Sequence, residues 1–369
     1  AALWLLHPGG LVVLEQSWAE PLACAAFLGF LYFSDGKWLT APIPPGDAFP
    51  LGTDLQGRDI LSNLLYGARY TLAIAGMVLL VRLIVGLVVS IALLAGAPAL
   101  LSDFRLLLLA KFLCLAMVAV GIGLAWGRGG MLTMGQGVFF GLGGYLMAMH
   151  LKLADAGPGG VPDFMQLYGT GTVPVWWEPM RSGLVTLALI VLLPAALAWL
   201  LGTGVFRRRV RGAYFAILSQ ALVAAFAILL VGQQQTTGGT NGLNGFRSFF
   251  GYDLTDPVNH RTLYAVCAAV LIVMVLIVRQ LHRSRWGELL LAVRDQENRV
   301  RFLGYDPASV KITAFVLAAV FASIGGALFV PVVGIISPAD VGVTASIGFI
   351  VGVAIGGRAT VLGPPLGAI

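Results

Sequence analysis

From Leu106 onward the chain alternates long apolar runs with short polar ones. The apolar runs cover Leu106–Trp126, Met131–Met149, Leu184–Phe206, Tyr214–Val231, Leu263–Leu281, Ile312–Val333 and Ile347–Ile355, the last carried on past a Gly356-Gly357-Arg358 turn. About 20 apolar residues in a helix cross the hydrocarbon of a bilayer, so the pattern predicts a polytopic bundle of membrane helices. The connections are of two kinds. Arg207-Arg208-Arg209-Val210-Arg211 and the stretch Arg279–Lys311 are rich in Lys and Arg, whereas Ala154–Arg181 and Gln233–Arg261 are polar without being strongly basic. The basic kind belongs on the cytoplasmic side and the other kind outside, and the two alternate consistently.

The second basic connection, about residues 282–310, is more than a linker. Leu289, Val293, Val300 and Leu303 recur at helical spacing. Asp295–Arg299 and Glu297–Arg301 are i,i+4 pairs in the acid-first order that supports a helix. Gly304 can end that helix, and Pro307 follows it. The expectation is a short amphipathic helix, free either to dock a soluble partner or to lie on lipid headgroups.

The N-terminal third is less regular. Residues 1–16 are interrupted by His7-Pro8-Gly9-Gly10, Pro21–Phe33 is apolar but brief, Ser34–Pro50 is a Pro- and Gly-rich loop, and Thr71–Gly96 is long enough to span. Composition agrees with a membrane protein: 58% of the 369 residues are hydrophobic, 11% are charged and mean hydropathy is +0.90. A soluble domain would carry about 25% charge. The net charge of +6 therefore reflects cytoplasmic loops rather than nucleic-acid binding. Cys24, Cys114 and Cys267 lie far apart in apolar segments, which implies neither a disulfide nor a metal site. No GxxxxGK[ST] motif is present, no His/Asp/Glu cluster suggests an enzyme, and the span interiors hold essentially no acid for proton or sodium coupling. The chain starts without Met and stops while still apolar, which is expected of a fragment.

Two resemblances attach to these residues. Gly52, Thr53, Asp54, Gly57, Arg58, Asp59, Leu61, Ser62, Gly67 and Arg69 resemble the segment before the second membrane helix of dipeptide/oligopeptide/nickel ABC permeases, over about residues 51–96. From about residue 100 to the end, the chain resembles branched-chain amino acid and urea ABC permeases. Within that group the likeness is to the C subunit of the urea branch, through Lys111–Leu153, Gly159–Pro179, Thr236–Phe246 and Ala292–Pro307. The two resemblances disagree in orientation where they join. Counting back from Arg207–Arg211 leaves Gly57–Arg69 cytoplasmic, whereas the matching peptide-permease segment is external. The division expected is therefore a graft-like segment, 1–98, ahead of a permease transmembrane domain, 99–369.

The resemblance implies an all-α polytopic bundle of the branched-chain amino acid/urea ABC permease type, C-terminally truncated, in the bacterial cytoplasmic (inner) membrane. It implies an importer of urea or short amides, with branched-chain amino acids or a non-transporting scaffold as alternatives. The chain itself would bind no cofactor, and ATP would be used by separate subunits. Implied partners are a second homologous permease, two cytoplasmic ATPases and a periplasmic or lipid-anchored binding protein. A neutral solute calls for uncharged donors and acceptors, and Gln136, Gln220, Thr237, Asn241 and Asn244 are placed to supply them. GRGGMLTMGQG and IGGRATVLGP, the latter holding Gly356 and Gly357, are expected to break their helices at matching places along the solute path. Leu289, Val293, Arg294, Asp295, Glu297, Arg299, Arg301 and Gly304 are expected to engage the ATPase, with Arg294, Glu297 and Arg301 setting register and Leu289, Val293 and Val300 giving apolar contact.

Overall fold

The computed structural model describes residues 102–369 except 158, 170, 210, 211, 255 and 359, together with 44–46, 50–54, 58–71, 73–74 and 77. The chain divides into two units at Gly96/Ala97. In the first, residues 60–71 form a helix started by Asp59, whose carboxylate accepts from Leu61 N, Ser62 N and the Ser62 hydroxyl at 2.6 Å. The Ser62 hydroxyl bond, with the two amide bonds, holds the Asp59 carboxyl below its ordinary pKa. The expectations for residues 1–16, Pro21–Phe33, Cys24 and most of Thr71–Gly96 lie outside the described residues.

The second unit is a helix bundle. Its main helices are α1 (Asp103–Ile122, extended by a π turn, Gly123–Arg128), α2 (Gln136–Ala156), α3 (Gly183–Phe206), α4 (Ala213–Gly232), α5 (Pro257–Arg283), α6 (Arg285–Phe302), α7 (Pro307–Val333), α8 (Val343–Gly356) and α9 (Gly363–Ala368). Among the described residues six helices are long and apolar enough to cross a membrane: α1 with its π turn, α2, α3, α4, α5 and α7. They fall on six of the apolar runs. The seventh run differs from expectation. Instead of continuing past the glycines, α8 stops at 14 residues and the chain folds back as α9. The second run differs too, because Met131–Gly135 is not helical and α2 begins at Gln136.

At the centre α7 packs on α1, α2 and α3. In lipid the helices gain little from hydrophobic exclusion, and small residues let their backbones approach. A Cβ at Gly121 would come within 2.9 Å of the Ala318 carbonyl, and one at Gly325 within 2.8 Å of that of Cys114. Gly143 abuts the Ser323 carbonyl and Gly326 that of Phe140 still more tightly. Proline makes a second kind of joint. Pro194 lacks the N–H that would bond the Ile190 carbonyl four residues back, and the Ser323 hydroxyl of α7 donates to that carbonyl at 2.7 Å instead. The aromatic rings of Phe139, Phe206, Phe215 and Phe315 pack together, with Phe315 edge-on to Phe139 at 5.5 Å.

The connections collect at two ends. At one, Leu243–Asn244 pairs antiparallel with Ile335–Ile336, the Asp155 carboxylate accepts from Arg247 N and Ser248 N, and the His150 ring stacks near Phe250. At the other lie Arg207–Arg209, all exposed, and α6. Single cysteines at Asp163 and Ser284 are therefore expected to react with impermeant maleimide from opposite faces of the membrane, the second from the cytoplasm. Labelling of both from one face would overturn the alternation.

Candidate functional site

Two interrupted helices meet. In the first, the helical ladder of α1 widens: Gly129 N–H donates to Leu124 O and Met131 N–H reaches back six residues to Ala125 O at 3.0 Å. Gly130 then takes φ +66, a left-handed conformation open to glycine, and the chain runs without helix to Gly135. In the second, α8 ends at Gly356 and Gly357 adopts φ +89. Thr360 closes the turn by accepting from Gly363 N at 2.9 Å, and α9 returns along α8 on a seam where Gly352, Gly356, Gly363 and Gly367 leave backbone against backbone. The breaks touch. The Arg358 guanidinium stacks over the Trp126 ring at 4.8 Å, Gly127 abuts the Arg358 carbonyl, and Gly123 faces the Pro364 ring.

The chain between Gly130 and Gln136 threads between α4 and α8. Met134 N–H donates to the Ser219 hydroxyl at 3.0 Å, Gly135 packs on Ser219, and Gly137 packs on the Ser346 hydroxyl and the Val341 carbonyl. Gln136 is 1% exposed, yet neither its amide oxygen nor its amide nitrogen has a hydrogen-bond partner. The Gln220 amide, one residue past Ser219, is in the same condition, as are the Ser346 and Tyr145 hydroxyls. A buried polar group left unpaired costs about 1–3 kcal/mol. Ser346 touches Gly137 and Gln220 follows the Ser219 that touches Gly135, so Gln136, Gln220 and Ser346 mark a region suited to a hydrogen-bonding ligand, whereas Tyr145 lies nine residues further along α2.

The other expected path residues are not gathered here. The Thr237 hydroxyl donates to Leu230 O and Gln233 O, both at 2.8 Å, and so finishes the end of α4 instead of facing a path. Asn241 and Asn244 are exposed in the loop paired with Ile335–Ile336. Gly356 and Gly357 form the second break. Ser346 and Tyr145 were missed by sequence reading because a lone serine in VTASIGFIV and a lone tyrosine in GGYLMA carry no pattern; only the contact of Gly137 with Ser346 singles the serine out.

The helix after α5 forms, with corrections. Ser284 caps it and Leu303 ends it, followed by Gly304 at φ +88, with Gly304 N–H to Arg301 O and Tyr305 N–H to Val300 O. That pair of bonds is the Schellman closure, as expected of Gly304. But α6 is kinked at Gln296 (φ −145, ψ 68), which breaks the register across which Asp295 and Arg299 were to pair. Asp295 instead accepts from Arg294 at 2.8 Å, and Arg299 is exposed. Beyond the kink Glu297 bridges Arg301 at 3.2 Å and Lys311 at 2.8 Å. The apolar face is also differently used. Leu290, Val293 and Val300 are buried in this chain's own core with Leu289 packed beside them, so they do not offer apolar contact to a partner. The exposed apolar side chains lie one turn on: Phe302 (92% exposed), Leu303 and Tyr305. Arg294, though exposed, reaches back to the chain's own first break, donating from Nη1 to the Gly127 carbonyl at 2.9 Å.

Residues 104–369 match the family described as branched-chain amino acid transport system / permease component. The chain belongs to that family. It is similar to the high-affinity branched-chain amino acid transport system permease protein LivM of Salmonella typhimurium, 29% identical over 60% of this chain and 51% of that protein. The protein of the same name from Escherichia coli K12 is 28% identical over the same shares. The chain spans about half the length of these curated relatives. No solved structure matches it. The family is one of transport permease components rather than enzymes, and the six apolar helices fit a multi-pass protein of the inner membrane. The urea-specific likeness has no counterpart among these matches.

Proposed function

We propose that this chain is a permease subunit of an ABC importer that passes a small polar solute of no net charge through the region where its two helix breaks meet. The observation that carries this is the set of unpartnered buried groups, Gln136, Gln220 and Ser346, around the first of those breaks. Irregular backbone at membrane depth is tolerated where it lines a cavity, and transporters place their sites at such interruptions. The solute reading supported by the relatives' names is a branched-chain amino acid. A second reading, urea or a short amide, is supported by the all-uncharged character of these groups, which suits a solute that carries no separated charges.

Transport would need a second permease of the same kind, two ATPases that supply the free energy, and a binding protein on the outer side. The ATPases would dock at α6, on the exposed surface formed by Phe302, Leu303, Tyr305 and Arg299. Residues 1–98 we read as a graft-like segment of peptide-permease resemblance ahead of the permease domain. The chain reconstituted with its ATPases is expected to hydrolyse ATP several-fold faster when a binding protein loaded with leucine is added. Stimulation by a urea-loaded protein instead would select the second reading. Absence of stimulation by either, with the subunits assembled, would leave a membrane scaffold and sink the importer.

A further inference from the structure

We infer that Arg294 is a positioning residue that ties α6 to the first helix break, so that displacement of α6 by an ATPase reshapes the solute path. The inference rests on the importer reading above and adds the contact through which coupling runs.

The argument starts from the Gly127 carbonyl. In an uninterrupted α-helix it would accept from Met131 N–H, four residues on. Met131 N–H goes to Ala125 O instead, which strands the Gly127 carbonyl inside the bundle. Arg294 meets it with Nη1 at 2.9 Å. The approach is built for a side chain of this length. The arginine stem crosses Gly130, where a Cβ would come within 2.6 Å of Arg294 Cγ. Nε of the same guanidinium is held by Asp295 at 2.8 Å, which fixes the plane of the fork.

Two further contacts make this bond a link rather than a local repair. Directly after Asp295 the backbone leaves helical geometry at Gln296, so α6 is jointed. The segment before the joint is bonded to the break through Arg294. The segment after it is bonded to α7 through Glu297 and Lys311, and carries the exposed Phe302 and Leu303. On the far side of Gly127 the Arg358 carbonyl is in contact, and Arg358 stacks on Trp126, one residue before Gly127. A push on Phe302–Tyr305 can therefore reach both breaks through the Arg294–Gly127 bond.

The test uses the full chain assembled with its ATPases, carrying Arg294→Ala or Arg294→Lys. A single cysteine replaces Leu132 in a background without Cys24, Cys114 and Cys267. Losing a charge-assisted bond should free the break, so Arg294→Ala is expected to raise the maleimide labelling rate at position 132 about 10-fold. The lysine, which can still donate one bond to the same carbonyl, is expected to keep labelling near wild type. In the alanine variant, hydrolysis stimulated by the loaded binding protein should fall towards the basal rate through kcat with KM unchanged, and the ATPases should still co-purify. Unchanged labelling and stimulation in Arg294→Ala would overturn the inference. So would loss of ATPase co-purification, which would put Arg294 on the partner's surface. If the unmutated assembly shows no solute-stimulated hydrolysis, the importer reading fails, while the labelling comparison still decides whether Arg294 holds the break.

Discussion

Replacing Gly143 with alanine is expected to leave little stable protein, an outcome out of proportion to one methyl group. The Cβ of that alanine would overlap the Ser323 carbonyl on α7, and a backbone atom cannot swing aside as a side chain can. Relief requires α2 and α7 to separate along their whole contact, which would also pull apart Gly326 and the Phe140 carbonyl and loosen Gly144 from Ile336. Overpacking a close-packed interface costs roughly 1–3 kcal/mol and occasionally more; this site is expected at about 3 or above, because no flexible atom can yield. Lipid offers no compensating hydrophobic gain to hold the shifted helices together. The Ser323 hydroxyl would be drawn off Ile190 O, reopening the gap that Pro194 creates in α3. Gly204 supplies the control. It lies in α3 with open space where a Cβ would go, and alanine there should be neutral or stabilising by up to about 1 kcal/mol through helix propensity alone. Unfolding midpoints in mild detergent compare the two. A Gly143→Ala midpoint equal to that of Gly204→Ala would mean that the α2–α7 contact is looser than described.

That interface shows what the sequence could and could not reveal. Long apolar runs specify spans because backbone hydrogen bonding in lipid leaves helix as the open choice, and six of the runs fall on helices, the second of them shifted by five residues at its start and seven at its end. The clustered glycines were visible as well, but composition cannot tell which of them face a neighbouring backbone. Gly143 does and Gly204 does not, and only the positions of α7 and α3 separate them. The end of α6 was legible in the sequence at Gly304, which closes the helix locally. The helix was misread in its faces. Val293 and Val300 have the spacing of a docking surface, and that spacing is identical whether the surface meets a partner or the chain's own core. The kink at Gln296 left no trace in the sequence, since Gln, Glu and Asn all tolerate helix, and it falls between Arg294, bonded to Gly127, and Glu297, bonded to Lys311. Of the unpartnered buried groups, Gln136 and Gln220 stood out because amides are rare in apolar runs. Ser346 needed the fold to bring it against Gly137.

Exchanging Gln136 for methionine is expected to move stability and transport in opposite directions. Methionine has nearly the same length and volume and no group that demands a hydrogen bond. At a site 1% exposed, where neither amide atom is partnered, the exchange removes a desolvation penalty of about 1–3 kcal/mol, so the unfolding midpoint should rise. Solute flux should fall at least about 10-fold, because losing one hydrogen bond to a solute in a dry site forfeits on the order of 1.4 kcal/mol. Gln220→Met should act in the same sense but less strongly on stability, its residue being only partly buried. A structural role for Gln136 predicts the reverse pattern: a lower midpoint, and flux lost only in proportion to the protein lost. Measuring the detergent midpoint and the uptake rate per inserted molecule on one preparation separates the two. Native uptake with a raised midpoint would show that the amide is dispensable and that the solute passes elsewhere. The opposed shift is the signature of a group held unsatisfied for its ligand, because the cost that the folded chain carries at Gln136 in the empty state is the interaction it keeps available for the solute.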